Sequence, residues 1–189
     1  MSFGEIFIIF VMAIIILMYV RNFYGEIDYV RSKVDGRQYL VKKLPDRQQA
    51  ADMLASINKD LMLIVQHVMA KFGEDDPRAK LLFKNYNPDA MSEGGHESGY
   101  TSFSVNKGEK LVMCIRQKDG TFVDKNVLMY VAIHELGHMM TSEVGHTPAF
   151  WDNFKFLLGE SIKLGLYKKV DYARTPVQYC GMTISSSVL

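Results

Sequence analysis

His134, Glu135 and His138 form an H-E-x-x-H motif inside residues 130–140, a stretch that is otherwise apolar. On an α-helix, positions four apart sit one turn apart, so both imidazoles leave the same face. Two imidazoles at that separation suit a tetrahedral Zn²⁺. Glu135 points about a quarter-turn away, near enough to hold a water beside the metal without ligating it. A divalent ion lowers the pKa of such a water and the carboxylate takes its proton, which is chemistry for hydrolysing a polarised carbonyl. The competing reading is two core histidines and a buried glutamate. That would leave three polar side chains in need of partners, at a cost of several kcal/mol. Val127, Leu128, Val131, Ala132, Ile133 and Leu136 make the flanks apolar on most sides, as in a helix buried in a core.

A catalytic zinc takes three protein ligands and keeps one position open. After His138, Gly145 can adopt φ > 0 and turn the chain, while Thr147 and Pro148 read as the N-cap and first residue of a new helix. His146 then sits in the turn between two helices, free to fold back over the metal. Two carboxylates compete for the role. Glu143 reads as a solvated loop charge. Glu160 lies on the following helix, where another branch of zinc peptidases carries a glutamate ligand. His146 is preferred, because a histidine beside a glycine at a helix-breaking turn needs a reason and Glu160 has an ordinary helical one.

The stretches 134–138 and 145–151, His-Glu-Leu-Gly-His and Gly-His-Thr-Pro-Ala-Phe-Trp, resemble the WLM and SprT-like zinc metallopeptidases. Their pattern is HExxH, a short spacer, then a Gly-His or Pro-His pair followed by an aromatic residue. Residues 34–37, 104–110 and 179–182 further resemble WLM-type proteins of large DNA viruses, here of a membrane-anchored type. The resemblance implies a zincin-like α+β domain, one Zn²⁺ per chain held by His134, His138 and His146, and Glu135 as catalytic base acting on a polypeptide substrate. The chain departs from the cellular members in its hydrophobic N-terminus and in lacking their long partner-binding tails, so their role on DNA-crosslinked proteins is not carried over.

The elements around the motif divide into three parts. Residues 6–20 are an unbroken apolar run, short but adequate for a bilayer core with flanking help, and Tyr19, Phe23 and Tyr24 suit the interface. A cleaved signal would want a basic start and a small-residue cleavage site, so residues 1–21 read as an uncleaved anchor. Arg21, Arg31, Lys33 and Arg37 all follow the span and none precedes it. The positive-inside rule therefore predicts a single-pass protein with its domain on the cytosolic side, in a host-cell or virion membrane. Residues 22–44 read as a polar connector, a tether or a packed segment, with a turn at Asp35-Gly36 and a short strand at 38–41. Residues 45–189 hold the catalytic domain.

Within that domain, Asp46 and Gln49 are placed to cap a helix whose apolar positions Ala50, Leu54, Ile57, Leu61, Ile64, Val68 and Phe72 form one stripe. His67 lies beside the stripe as a packed or surface residue. A shorter helix spans 78–85, and residues 87–99 read as loop, with His96 exposed in it. Strands are expected at 100–105 and 110–116 around the turn 106–109, and Asp124 caps the metal helix. This order resembles a zinc-peptidase N-lobe, which implies that one of these strands is a sheet edge along the cleft, able to hold an extended peptide by strand addition. A helix over 148–164 follows, with Trp151 packing the turn that carries His146. Tyr172 and Tyr179 are candidates to stabilise an oxyanion, though a packed tyrosine is the plainer reading of each. Cys180-Gly181-Met182 suits a tight turn.

Composition narrows the partners. Lys+Arg of 22 against Asp+Glu of 21 over 189 residues gives a formal net charge of +1, which argues against a dedicated nucleic-acid surface. Cys114 and Cys180 have no zinc-knuckle spacing and read as free buried thiols in a reducing compartment. The expectation is a membrane-anchored zinc endopeptidase, and the alternative a zinc-stabilised membrane scaffold with no catalytic role.

Overall fold

The computed structural model describes residues 2–94 and 101–189; His96 lies outside the described residues. Among them the chain forms five helices and a small sheet in a mixed α+β arrangement. Helix α1, Phe3–Gly25, opens on a capping box in which the Ser2 N–H donates to Glu5 Oε2 at 2.7 Å and the Glu5 N–H donates back to Ser2 Oγ. Its stretch Phe3–Val20 has a mean hydropathy of 2.7 and none of it is buried against the rest of the protein. A helix this long and apolar is able to cross a bilayer.

The segment after α1 packs against the domain. Strand β1, Ile27–Arg31, begins two residues after α1 ends and pairs antiparallel with β2, Gln38–Lys42. Tyr39 and Val41 point into the core and are fully buried. Strand β2 runs parallel to β3, Met91–Glu93, which runs parallel to β5, Lys110–Met113, and the sheet closes on β4, Phe103–Val105. The strand order β1-β2-β3-β5-β4 makes β4 an edge. Residues 87–99 are thus not all loop: three of them form the central strand. Three residues are too few to carry a period, and the sheet holds Glu93 inside through Arg116, whose Nε donates to Glu93 Oε1 at 2.8 Å.

Helix α2, Arg47–Phe72, buries the expected stripe, with Leu54, Ile57, Leu61 and Ile64 fully enclosed. Its expected cap is not made. The Asp46 carboxylate instead accepts from both terminal nitrogens of the buried Arg116, which outcompetes a neutral backbone N–H. The Asp76 side chain caps α3, Pro77–Asn85, with Pro77 in the first turn. Helices α4, Lys125–Met140, and α5, Pro148–Lys163, pack on each other and on α2. Gly137 sits at the α4–α5 crossing, where a Cβ would lie 3.1 Å from the Phe150 ring.

The chain ends in a hairpin, β6 Val177–Tyr179 and β7 Met182–Ile184, whose turn residues Cys180 and Gly181 both have positive φ. That turn is tied to the end of β5 by a Cys114–Cys180 disulfide. The cysteines are therefore not free thiols. They lie 66 residues apart, and only the tertiary fold brings them together.

Candidate metal and catalytic site

Helix α4 begins where the Asp124 carboxylate accepts from the N–H groups of Asn126 and Val127. Its C-terminal half presents His134 and His138 on one face, one turn apart. The chain then turns at Gly145, φ 88°, and restarts as α5, where Thr147 Oγ1 accepts from the Phe150 N–H. His146, between these two points, folds back as its spacing predicts. One ligand nitrogen from each of His134, His138 and His146 lies within 4.8 Å of the other two. His134 Nε2 and His146 Nε2 are 3.0 Å apart. Tetrahedral zinc with bonds of about 2.05 Å needs nitrogens about 3.3 Å apart, so three imidazoles so placed fit that ion.

An aromatic wall holds the three rings. Phe150 is fully buried and stacks on His138 at 4.2 Å between centroids, while His134 and His146 each meet its ring at 4.8 Å. Trp151 lies over His146 at 5.4 Å, the packing expected of it. Burial and the neighbouring imidazoles push His134 down to about 3. Burial, His146 and the Lys107 ammonium push His138 down to about 4. Both rings are accordingly neutral at physiological pH, the form that ligates metal.

Glu135 is buried behind the cluster. Burial pushes its carboxyl up, against the opposing influence of the Ser104 hydroxyl and backbone N–H on the edge strand. The N–H of Leu111, opposite Ser104, donates to Ala90 on the β3 side at 3.0 Å. In an antiparallel pair the residue facing it then turns its own N–H and C=O to the free edge. Strand β4 therefore presents Ser104 toward the cleft mouth. The cleft, about 550 Å³, is lined by Ser104, Lys107, Val144, the three motif residues and His146.

The rival ligands stand elsewhere. Glu160 is held at the far end of α5 by His67 Nε2 and Lys71 Nζ, each at 2.8 Å, and Lys163 Nζ at 2.7 Å. His67, read from its spacing as packed or surface, is thus a hydrogen-bond partner of that carboxylate. Glu143 is exposed on the cleft rim. Tyr172 packs against Tyr130. Tyr179 is buried, its hydroxyl 2.5 Å from Ser102 Oγ, close enough to Glu135 to feel its charge. Ser102, Ser104 and Lys107 were not legible as site residues, since each reaches the motif only through a long-range contact, and Phe150, though inside the stretch that carries the family resemblance, was given no role there. The one local hint was the cation beside a glycine in the 106–109 turn.

Residues 33–175 match the WLM domain. The chain belongs to the WLM family. WLM domains are associated with zinc metalloprotease-like proteins. Among its relatives, "Uncharacterized protein R325" of Acanthamoeba polyphaga mimivirus is 35% identical over 87% of this chain and 86% of its own length. "Uncharacterized protein 136R" of Invertebrate iridescent virus 6 is 27% identical over 72% of this chain and 79% of its own. "Uncharacterized protein 042R" of Invertebrate iridescent virus 3 is 37% identical over 35% of this chain and 42% of its own. These relatives are viral, as the sequence resemblance implies. No solved structure matches the chain.

Proposed function

We propose that this WLM protein is a zincin-like, zinc-dependent endopeptidase anchored in a membrane by α1, with His134, His138 and His146 as metal ligands and Glu135 as general base. The observation that carries the reading is the convergence of three imidazoles with a buried carboxylate beside a sheet edge. Zinc, when bound, supplies polarisation of the scissile carbonyl and acidification of a water. Glu135 takes that water's proton and hands it to the leaving amine; its raised pKa suits both halves of the transfer. The Ser104 N–H and hydroxyl keep the carboxylate aimed. The free edge of β4 offers main-chain pairing to an extended polypeptide, which supports a polypeptide as the substrate class.

The anchor has two orienting signals. Arg21, Arg31, Lys33 and Arg37 favour the cytosolic face. The Cys114–Cys180 bond favours an environment free of cellular reductants. Both are met by a membrane whose formerly cytosolic face is enclosed in a particle outside the cell, and we assign the domain to that side.

The test is Glu135→Gln in the full-length chain, purified in detergent beside the wild type. Both are expected to retain one zinc per chain, while cleavage of an unstructured protein substrate falls by at least about 10³-fold in the variant, the scale of losing a general base together with its electrostatic role. Equal cleavage by the two would remove Glu135 from the mechanism. A wild type that binds no zinc would remove the site.

A further inference from the structure

Lys107 lies outside the H-E-x-x-H motif, yet it makes the densest polar contact around it. Its Nζ donates to the carbonyl oxygens of Thr141 at 2.7 Å and Glu143 at 3.2 Å, and to that of Ser142 between them. These are the first carbonyls beyond α4, where the helix leaves its last acceptors without partners and carries partial negative charge. Other groups complete that end within the helix itself: Asn85 Nδ2 donates to Met139 O at 2.8 Å, and Thr141 Oγ1 donates to Gly137 O at 2.7 Å. Lys107 alone of these three donors reaches past the helix into the segment leading to His146.

The turn that delivers Lys107 is strained. Asn106, Lys107 and Gly108 have φ of 45°, 56° and 117°, two of them in non-glycine residues. A left-handed conformation crowds the Cβ of a non-glycine residue against its own backbone. The turn is also pressed inward: a Cβ on Gly108 would lie 2.0 Å from the Asn85 carbonyl oxygen. A strained, tightly packed turn persists where surrounding contacts over-determine it, and here those contacts are the three carbonyls.

We infer that Lys107 is a positioning residue for the third ligand: its ammonium clamps residues 141–143 so that His146 stands over His134 and His138 before any metal arrives. The inference rests on the proposed three-histidine site. It ties the β4–β5 hairpin, whose edge strand holds Glu135 through Ser104, to the α4–α5 loop that carries His146. Both halves of the site then hang from one turn. If the loop is held ready only part of the time, metal affinity falls by that fraction.

The experiment is metal binding by the full-length chain in detergent, read by zinc competition with a chromophoric chelator and by the d–d absorption of the Co²⁺ form. Lys107→Met is expected to weaken zinc by about tenfold or more, on the fraction argument above, and to alter the Co²⁺ band. Lys107→Gln, which keeps a donor for one carbonyl, is expected to fall between and serves if the methionine variant does not fold. Lys125→Met is the control. Lys125 sits at the other end of α4, paired with Asp60 at 2.7 Å, and its loss lowers stability without touching zinc affinity. Wild-type zinc affinity and spectrum in folded Lys107→Met or Lys107→Gln would overturn the inference while leaving the three-histidine site intact. A wild type with no affinity for either metal overturns both.

Discussion

Reducing the Cys114–Cys180 bond opens a covalent loop that encloses α4, the His146 turn and α5, and so the whole metal site. With a separation of 66 residues, loop closure restricts the unfolded chain by about 4 kcal/mol on the chain-entropy account. The bond also fixes the β6–β7 hairpin, where Tyr179 reaches Ser102, and Ser102 Oγ in turn accepts from the Cys114 N–H at 2.9 Å. The perturbation is Cys180→Ser, or dithiothreitol on the wild type, in the full-length chain in mild detergent. Trp151, the one tryptophan, lies against His146 and reports unfolding by fluorescence. With a urea dependence of about 2 kcal/mol per molar, a loss of about 4 kcal/mol lowers the midpoint by about 2 M. Cys180→Ser should show the full shift without reductant and no further shift with it. Superimposable wild-type curves with and without dithiothreitol would refute the reasoning. So would two alkylatable thiols in the folded, unreduced chain.

Two further outcomes follow from packing and charge. Gly137→Ala places a methyl 3.1 Å from the Phe150 ring and 3.3 Å from Phe154 Cβ, and Phe150 has no room to retreat because it stacks on His138. Overpacking of about 1–3 kcal/mol outweighs the helix-propensity gain of about 1 kcal/mol, so thermal melting should fall by a few degrees; a raised melting temperature would contradict the crossing. The Lys163, Lys71 and His67 side chains hold Glu160 down at about 2 against desolvation. A carboxyl depressed from about 4.5 to about 2 contributes stability at neutral pH, at most about 3 kcal/mol, which is lost as pH falls from about 4.5 toward 2. Glu160→Gln should therefore be less stable than wild type near pH 7, with the gap in denaturant midpoint closing as pH falls from about 5 toward 2. A gap that stays constant over that range would show that the ion pairs do not produce it.

What could be learned from the chain alone was what short-range spacing encodes. His134 and His138 one turn apart, Asp124 and Thr147 as caps, the stripe of α2 and the apolar run of α1 are all set within a few residues, where helical period and capping chemistry decide the outcome. The turn at Gly145 likewise pointed to His146 as the third donor. Tertiary structure decided whatever depends on partners far along the chain. It made three residues, Met91–Glu93, the central strand by supplying neighbours on both sides and Arg116 for Glu93. It drew Asp46 away from its cap, joined Cys114 to Cys180, gave Glu160 to two lysines and His67, and set Ser104 on Glu135 and Lys107 on the end of α4. A charged or thiol side chain takes the strongest partner within reach, and reach in a folded chain is measured through space. Residue spacing reports that distance only while the backbone between is a single regular element.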